Sequence, residues 1–243
     1  ILEVTLNNGI DPVTGKRAGI ETGDPRHFES YDELYAAFQR QLNFIVDTKV
    51  RVSNYIDRMF AKYAPAPFLS VVIEDCISKG RDYYDGGPRY NTNYIQCTGL
   101  GTTTDSLAVL KKHVFEDRTF SMERILDAVA KNFEGEEFLR QTVLNKTPFF
   151  GNDDDYADDL ALTIYHDLLD AIDGKPNVKG ETYHLNMLST TCHIYFGKVM
   201  GATPNGRLAG KSISDGTSPS HGADTHGPSA VIRSLTKLDH TMS

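Results

Sequence analysis

Cysteine, long apolar runs and basic charge are all scarce in this chain. Its three cysteines, Cys76, Cys97 and Cys192, lie far apart in 243 residues. That excludes a disulfide framework and a CxxC metal site, and it suits a reducing compartment; the three read first as buried thiols. No window approaches the roughly 20 consecutive apolar residues of a membrane span, and no charged start followed by an apolar core marks a secretory signal. A cytoplasmic protein with no membrane partner is expected. Lys and Arg number 25 against 33 Asp and Glu, giving a formal charge of −8. A chain so acidic has no patch able to neutralise a phosphate backbone, so nucleic acid is not an expected partner.

What is present suits a folded domain. Hydrophobic residues make up 40% and charged residues 24% of the chain, ordinary proportions for a protein with a sizeable core. There is no internal repeat and no low-complexity tract. The chain opens on the apolar run Ile1-Leu2-Glu3-Val4-Thr5-Leu6 and stops just beyond a helical pattern, so neither end reads as a natural terminus.

Residues 7–29 are rich in turn formers and read as a long loop. Ser30 with Glu33 three residues on forms a capping-box pattern. Leu34, Phe38, Leu42, Ile45, Val52, Ile56, Met59 and Tyr63 then recur near the helical period until Pro65 and Pro67 stop it. Phe68 to Ile77 fits helix or strand equally. Tyr90 to Cys97 alternates as a strand does, Gly99 and Gly101 turn the chain, and Asp105 is placed to cap a helix burying Leu107, Leu110, Val114 and Phe115. Further helices are expected at 121–133, 136–146 and 154–173. From Thr182 to Phe196 the period becomes that of a strand. Residues 201–228, with the turn Pro204-Asn205-Gly206, read as a long ordered loop before a final helix near Pro228. Strands alternating with helices imply an α/β architecture with largely parallel strands.

Several clusters invite chemistry. His221, Asp224 and His226 lack the spacing of a zinc or iron motif, so no metal is assigned. Asp153-Asp154-Asp155 reads better as carboxylates favoured by a helix dipole than as a cation site. Gly99-Leu100-Gly101 lacks the third glycine of a phosphate-binding fingerprint and reads as a tight turn. Arg207 either clamps an anion or ties down its own loop. Cys192 and His193 are adjacent, and on a strand they would face opposite ways. That strand would carry Thr190, Cys192 and Ile194 on one face, with Ser189, Thr191 and His193 on the other. Polar residues midway along it suggest either a face lining a polar cavity or a satisfied core strand.

Several stretches resemble the glycyl radical enzymes of the pyruvate formate-lyase and glycerol dehydratase superfamily. They are Gly86-Gly87-Pro88-Arg89-Tyr90-Asn91 with Tyr94-Ile95-Gln96, then Gly99 through Leu107, then Phe150-Gly151-Asn152-Asp153. Most specific is Gly201-Ala202-Thr203-Pro204-Asn205-Gly206-Arg207, continuing to Asp215-Gly216, Ser218-Pro219 and Gly227-Pro228. The resemblance implies part of a ten-stranded α/β barrel surrounding an active site, with residues 1–243 as a partial barrel domain. The family's Gly-Cys-x-Glu and Arg-Val-x-Gly-Tyr motifs are absent from these residues, so no catalytic residue is assigned. These positions alone are expected to be inactive.

The same resemblance implies a protein glycyl radical in the parent enzyme, installed by a radical SAM activating enzyme, with no other cofactor bound. It also implies a small-molecule substrate and a homodimer. Thr190 is carried over as substrate-contacting, with Ser189 and Thr191 as weaker neighbours. The run Met187 to Gly197 is most similar to the trans-4-hydroxy-L-proline dehydratase group, which implies a hydro-lyase. Alternatives are a glycerol or diol dehydratase, a formate acetyltransferase, or a non-catalytic scaffold.

Overall fold

The computed structural model describes residues 1–242. Helix α1 (Leu2–Leu6) is short, and residues 7–29 then run as loop apart from one turn at Pro25–His27. Helix α2 (Tyr31–Tyr63) is the long amphipathic element that the sequence predicts. The Ser30 hydroxyl accepts from the Glu33 amide at 3.2 Å, satisfying one orphan donor of the first turn. Burial along α2 is uneven. Leu34, Phe38, Leu42, Val46 and Val50 enter the core, whereas Tyr55, Ile56, Met59, Phe60 and Tyr63 remain exposed.

The ambiguous stretch after Pro65 resolves into two short helices, α3 (Pro67–Val72) and α4 (Cys76–Lys79). Strand β1 (Asn93–Gln96) leads through Gly99, at φ 90°, into α5 (Leu100–Leu110). Asp105 does not cap this helix. It lies within α5, fully buried, because the helix already begins at Leu100. Helices α6 (Met122–Ala130), α7 (Glu137–Lys146) and α8 (Asp155–Ile172) follow at the expected places.

Strand β2 (Tyr183–Asn186) pairs parallel with β1, with Asn93 opposite Tyr183 and Gln96 opposite Asn186. Alternation sorts the two strands into faces. Ile95, Tyr183 and Leu185 are buried, and β2 packs on α8, which in turn packs on α5. Complete burial of a side chain such as Leu185 contributes about 2–3 kcal/mol. The opposite face carries Tyr94, Gln96, His184 and Asn186, exposed or half-buried. Parallel strands joined through helices agree with the α/β expectation. A ten-stranded barrel is not seen among the described residues, which form one two-stranded sheet.

The expected strand from Thr182 to Phe196 ends early. Asn186 turns its side chain back so that Oδ1 accepts from the Leu188 amide at 2.7 Å, residues 187–190 are irregular, and α9 (Cys192–Val199) follows. The loop at 201–228 is ordered and leads to α10 (Pro228–Leu235). No helix among the described residues is long and apolar enough to cross a membrane.

Candidate functional site at the carboxyl ends of the parallel strands

In open α/β sheets, ligands gather beyond the carboxyl ends of the strands. Here that region holds Gln96 at the end of β1 and Leu188-Ser189-Thr190 just past the end of β2. Because Thr191 and the residues after it turn into α9, the two-faced strand arrangement of Ser189 to Ile194 is not formed. Thr190 Oγ1 instead lies 2.8 Å from Cys192 Sγ. His193 lies on the same turn, and its Nδ1 donates to the Thr190 carbonyl at 2.6 Å. Its ring also packs against that of His221, with centroids 5.6 Å apart.

Thr190 is half-buried, while Ser189 and Thr191 are exposed. The amide of Gln96 donates to Thr190 Oγ1 at 3.4 Å and to the Leu188 carbonyl. Nothing in the residue type marks Gln96 as a site residue. Its position at the last residue of a strand before a glycine turn is the signal that could have found it.

The long loop buttresses this region from below. Gly216 packs so closely on the segment that a Cβ there would sit 2.3 Å from the Met187 carbonyl oxygen. Gly101 of α5 likewise leaves 2.6 Å between a Cβ and the Ser218 carbonyl oxygen. Ser214 and Thr102 exchange hydrogen bonds, Thr102 N to Ser214 Oγ at 3.0 Å and Ser214 N to Thr102 Oγ1 at 2.9 Å. Arg207 ties down its own loop: its guanidinium donates to Thr203 Oγ1 at 3.2 Å and to the carbonyls of Gly201, Leu208 and Lys211. All three guanidinium nitrogens are thereby engaged, which settles its role against an anion clamp.

The other clusters are structural in their contacts. Asp154 caps α8 by accepting from the Tyr156 amide, Asp155 pairs with Lys237 at 2.6 Å and Asp153 with Arg233 at 2.6 Å. His226 is held by Asn152, whose Oδ1 accepts from the His226 amide and whose carbonyl faces Nδ1, both at 3.0 Å. Among the described residues no three His, Cys, Asp or Glu side chains converge. Burial pushes the Cys97 thiol up to about 12, so it is not a thiolate nucleophile at neutral pH. Asp105 is pushed up to about 7 by desolvation, partly offset by the Phe150 amide. Its Oδ1 accepts from Phe150 N at 2.9 Å while Oδ2 has no partner. A polar cleft of about 810 Å³ lies between α7 and the long loop, bordered by Arg140, Asn145, Asn205, Lys211 and His221. None of Ser189, Thr190 and Thr191 lines it.

Parallel strands joined by helices, with hydrogen-bonding side chains gathered at their carboxyl ends, define the class: an α/β unit. The family follows from comparison with known proteins. Residues 1–197 match the pyruvate formate lyase-like family model, and the chain belongs to that family of glycyl radical enzymes.

Similarity extends over almost the whole chain. It is 52% identical over 240 residues to trans-4-hydroxy-L-proline dehydratase of Clostridioides difficile, an alignment covering 99% of this chain and 30% of that protein. The crystal structure of hydroxyproline dehydratase from the same organism, with trans-4-hydroxy-L-proline bound, superposes with a TM-score of 0.96 at 51% identity. It covers 100% of this chain and 31% of the other. The glycerol-bound form of the B12-independent glycerol dehydratase from Clostridium butyricum matches with a TM-score of 0.93 at 34% identity, covering 99% and 30%. The chain thus spans about 30% of the length of the curated relatives it matches.

Proposed function

We propose that these residues are a partial barrel domain of a glycyl radical dehydratase that removes water from trans-4-hydroxy-L-proline. The observation that carries this reading is the 52% identity to a dehydratase for that substrate across 99% of the chain, against 34% for the glycerol enzyme. On this reading β1 and β2 are two of the barrel's strands, and their open face, with Tyr94, Gln96, His184 and Asn186, looks into its interior. The exposed apolar side chains Phe68, Val72, Ile77 and Tyr90 would be covered by further chain of the parent, as large apolar patches usually are.

Hydrogen abstraction would be supplied by a thiyl radical generated from a glycyl radical, both on residues outside these 243, with a radical SAM enzyme as the activating partner. Thr190 contributes a hydroxyl that orients substrate, with Ser189 and Thr191 beside it. Positioning of this kind favours the reacting geometry without moving a proton. The net reaction converts hydroxyproline to a pyrroline carboxylate and one water. Residues 1–243 alone are inactive on this account, and the parent works as a cytoplasmic homodimer.

The experiment is an anaerobic assay of the activated, full-length parent with hydroxyproline and glycerol offered separately. Product from hydroxyproline is expected. Water loss from glycerol with none from hydroxyproline would replace this reading by the diol dehydratase one.

A further inference from the structure

We propose that Gln96 is a positioning residue that makes the Thr190 hydroxyl a hydrogen-bond donor toward substrate. This inference rests on Thr190 being a substrate contact. Its observations are independent of that reading: they are the hydrogen bonds that converge on Oγ1 from two different elements.

A threonine hydroxyl has one hydrogen and two acceptor lone pairs. The Gln96 carboxamide lies with Nε2 against the Leu188 carbonyl. A carbonyl oxygen accepts only, so this contact fixes which end of the amide faces the site. The second amide hydrogen is then directed at Thr190 Oγ1, at 3.4 Å, and occupies one lone pair. Cys192 Sγ, at 2.8 Å, is the remaining neighbour. If the thiol donates, the second lone pair is filled and the hydroxyl hydrogen points outward. If the sulfur accepts, it is a weak acceptor that an oxygen of the substrate displaces. In the first case donation is the only capacity left to Thr190; in the second, donation follows once a substrate oxygen displaces the sulfur, and one lone pair stays open.

With the thiol donating, the atom recognised at Thr190 is an acceptor oxygen, and an amino-acid carboxylate is the strongest of the candidates. Gln96 also ties Leu188, two residues before Thr190, to the end of β1. One side chain thus sets both the place and the polarity of the hydroxyl.

Gln96→Glu tests this, because a carboxylate of the same shape accepts from Thr190 and reverses its hydroxyl. Gln96→Met, neutral and of similar length, serves as the second variant should the charge prevent folding. Both are made in the activated full-length enzyme, alone and combined with Thr190→Ala, with kcat and KM normalised to glycyl radical content from electron paramagnetic resonance.

The expected result is a KM for hydroxyproline raised about tenfold, the worth of one lost hydrogen bond, with kcat per radical nearly unchanged. No further loss is expected once Thr190 is alanine, since the two residues then act as one unit. A Gln96 effect that persists in full in the Thr190→Ala background overturns the proposal, because plain charge repulsion or misfolding would act there too. Wild-type KM in both Gln96 variants, with KM raised by Thr190→Ala, also overturns it and leaves the Thr190 reading standing. Unchanged kinetics in Thr190→Ala would remove the Thr190 reading itself, and the inference with it.

Discussion

Thr190 Oγ1 and Cys192 Sγ stand 2.8 Å apart, two residues from each other in sequence and in direct contact only because the chain leaves β2 and turns into α9. In a strand their side chains would share a face but lie too far apart to touch. The contact makes Cys192 a support for the hydroxyl. Cys192→Ala is expected to lower kcat/KM for hydroxyproline by about 3–10-fold, a hydrogen bond of about 1 kcal/mol, while Cys192→Ser stays near wild type. Steady-state kinetics of the activated parent would check this, and a complete loss in Cys192→Ser would assign the sulfur a chemical role.

Gly216 lies at φ 37° against the Met187 carbonyl and the Ser189 amide and hydroxyl. Gly216→Ala must push backbone against backbone, at a cost of about 1–3 kcal/mol. The displaced segment carries Ser189 and Thr190. A lower melting temperature together with a raised KM is expected, whereas a purely distant packing defect would lower the melting temperature alone.

Much of the scaffold is legible in the sequence because it rests on local rules. The Ser30 cap, the period of Leu34, Phe38 and Leu42 and the stop at Pro65 define α2 without reference to any other element. The strand at Asn93–Gln96 and the turn at Gly99 are equally local. The segment from Met187 to Phe196 is different. Its alternating, β-branched composition suits a strand, and what decides against one is a local side-chain turn together with a tertiary contact. Asn186 Oδ1 captures the Leu188 amide, and Gly197 lies against the Lys211 and Ser212 backbone, where a Cβ would sit 2.2 Å from the Lys211 oxygen. The first contact is local, of the kind an asparagine makes with the backbone two residues on, but the second cannot be inferred from residues 182–196 alone. For the same reason Asp105 reads as a cap, although its role depends on Phe150, 45 residues away.

That aspartate has a pH signature. Its carboxyl is raised to about 7 in the folded chain, against roughly 3.9 when unfolded. Between about pH 4 and pH 7 the native state keeps a proton that the unfolded state has lost. Stability from this group therefore falls as pH rises through that window. Asp105→Asn can still accept from Phe150 and removes the titration. The variant is expected to match wild type near pH 4 and to be the more stable near pH 7.5, by up to about 4 kcal/mol. Calorimetric melting at the two pH values checks it, and parallel curves at both would contradict it.

Asp158 lies buried on α8, accepting from Ser234 Oγ at 2.9 Å and from Lys237 Nζ at 2.8 Å. Removing the lysine leaves a buried carboxylate without its cation. Lys237→Met should cost about 3 kcal/mol, whereas replacing Asp158 and Lys237 together by apolar residues costs less. Melting temperatures of the single and double variants would show whether the pair behaves in this way.

The proposed dehydration of hydroxyproline is tested most directly by product formation by the activated parent under strict anaerobiosis. A pyrroline carboxylate is expected from trans-4-hydroxy-L-proline, appearing in proportion to glycyl radical content and weakened by Thr190→Ala. A fully radical-loaded enzyme that leaves hydroxyproline untouched while dehydrating glycerol would contradict it.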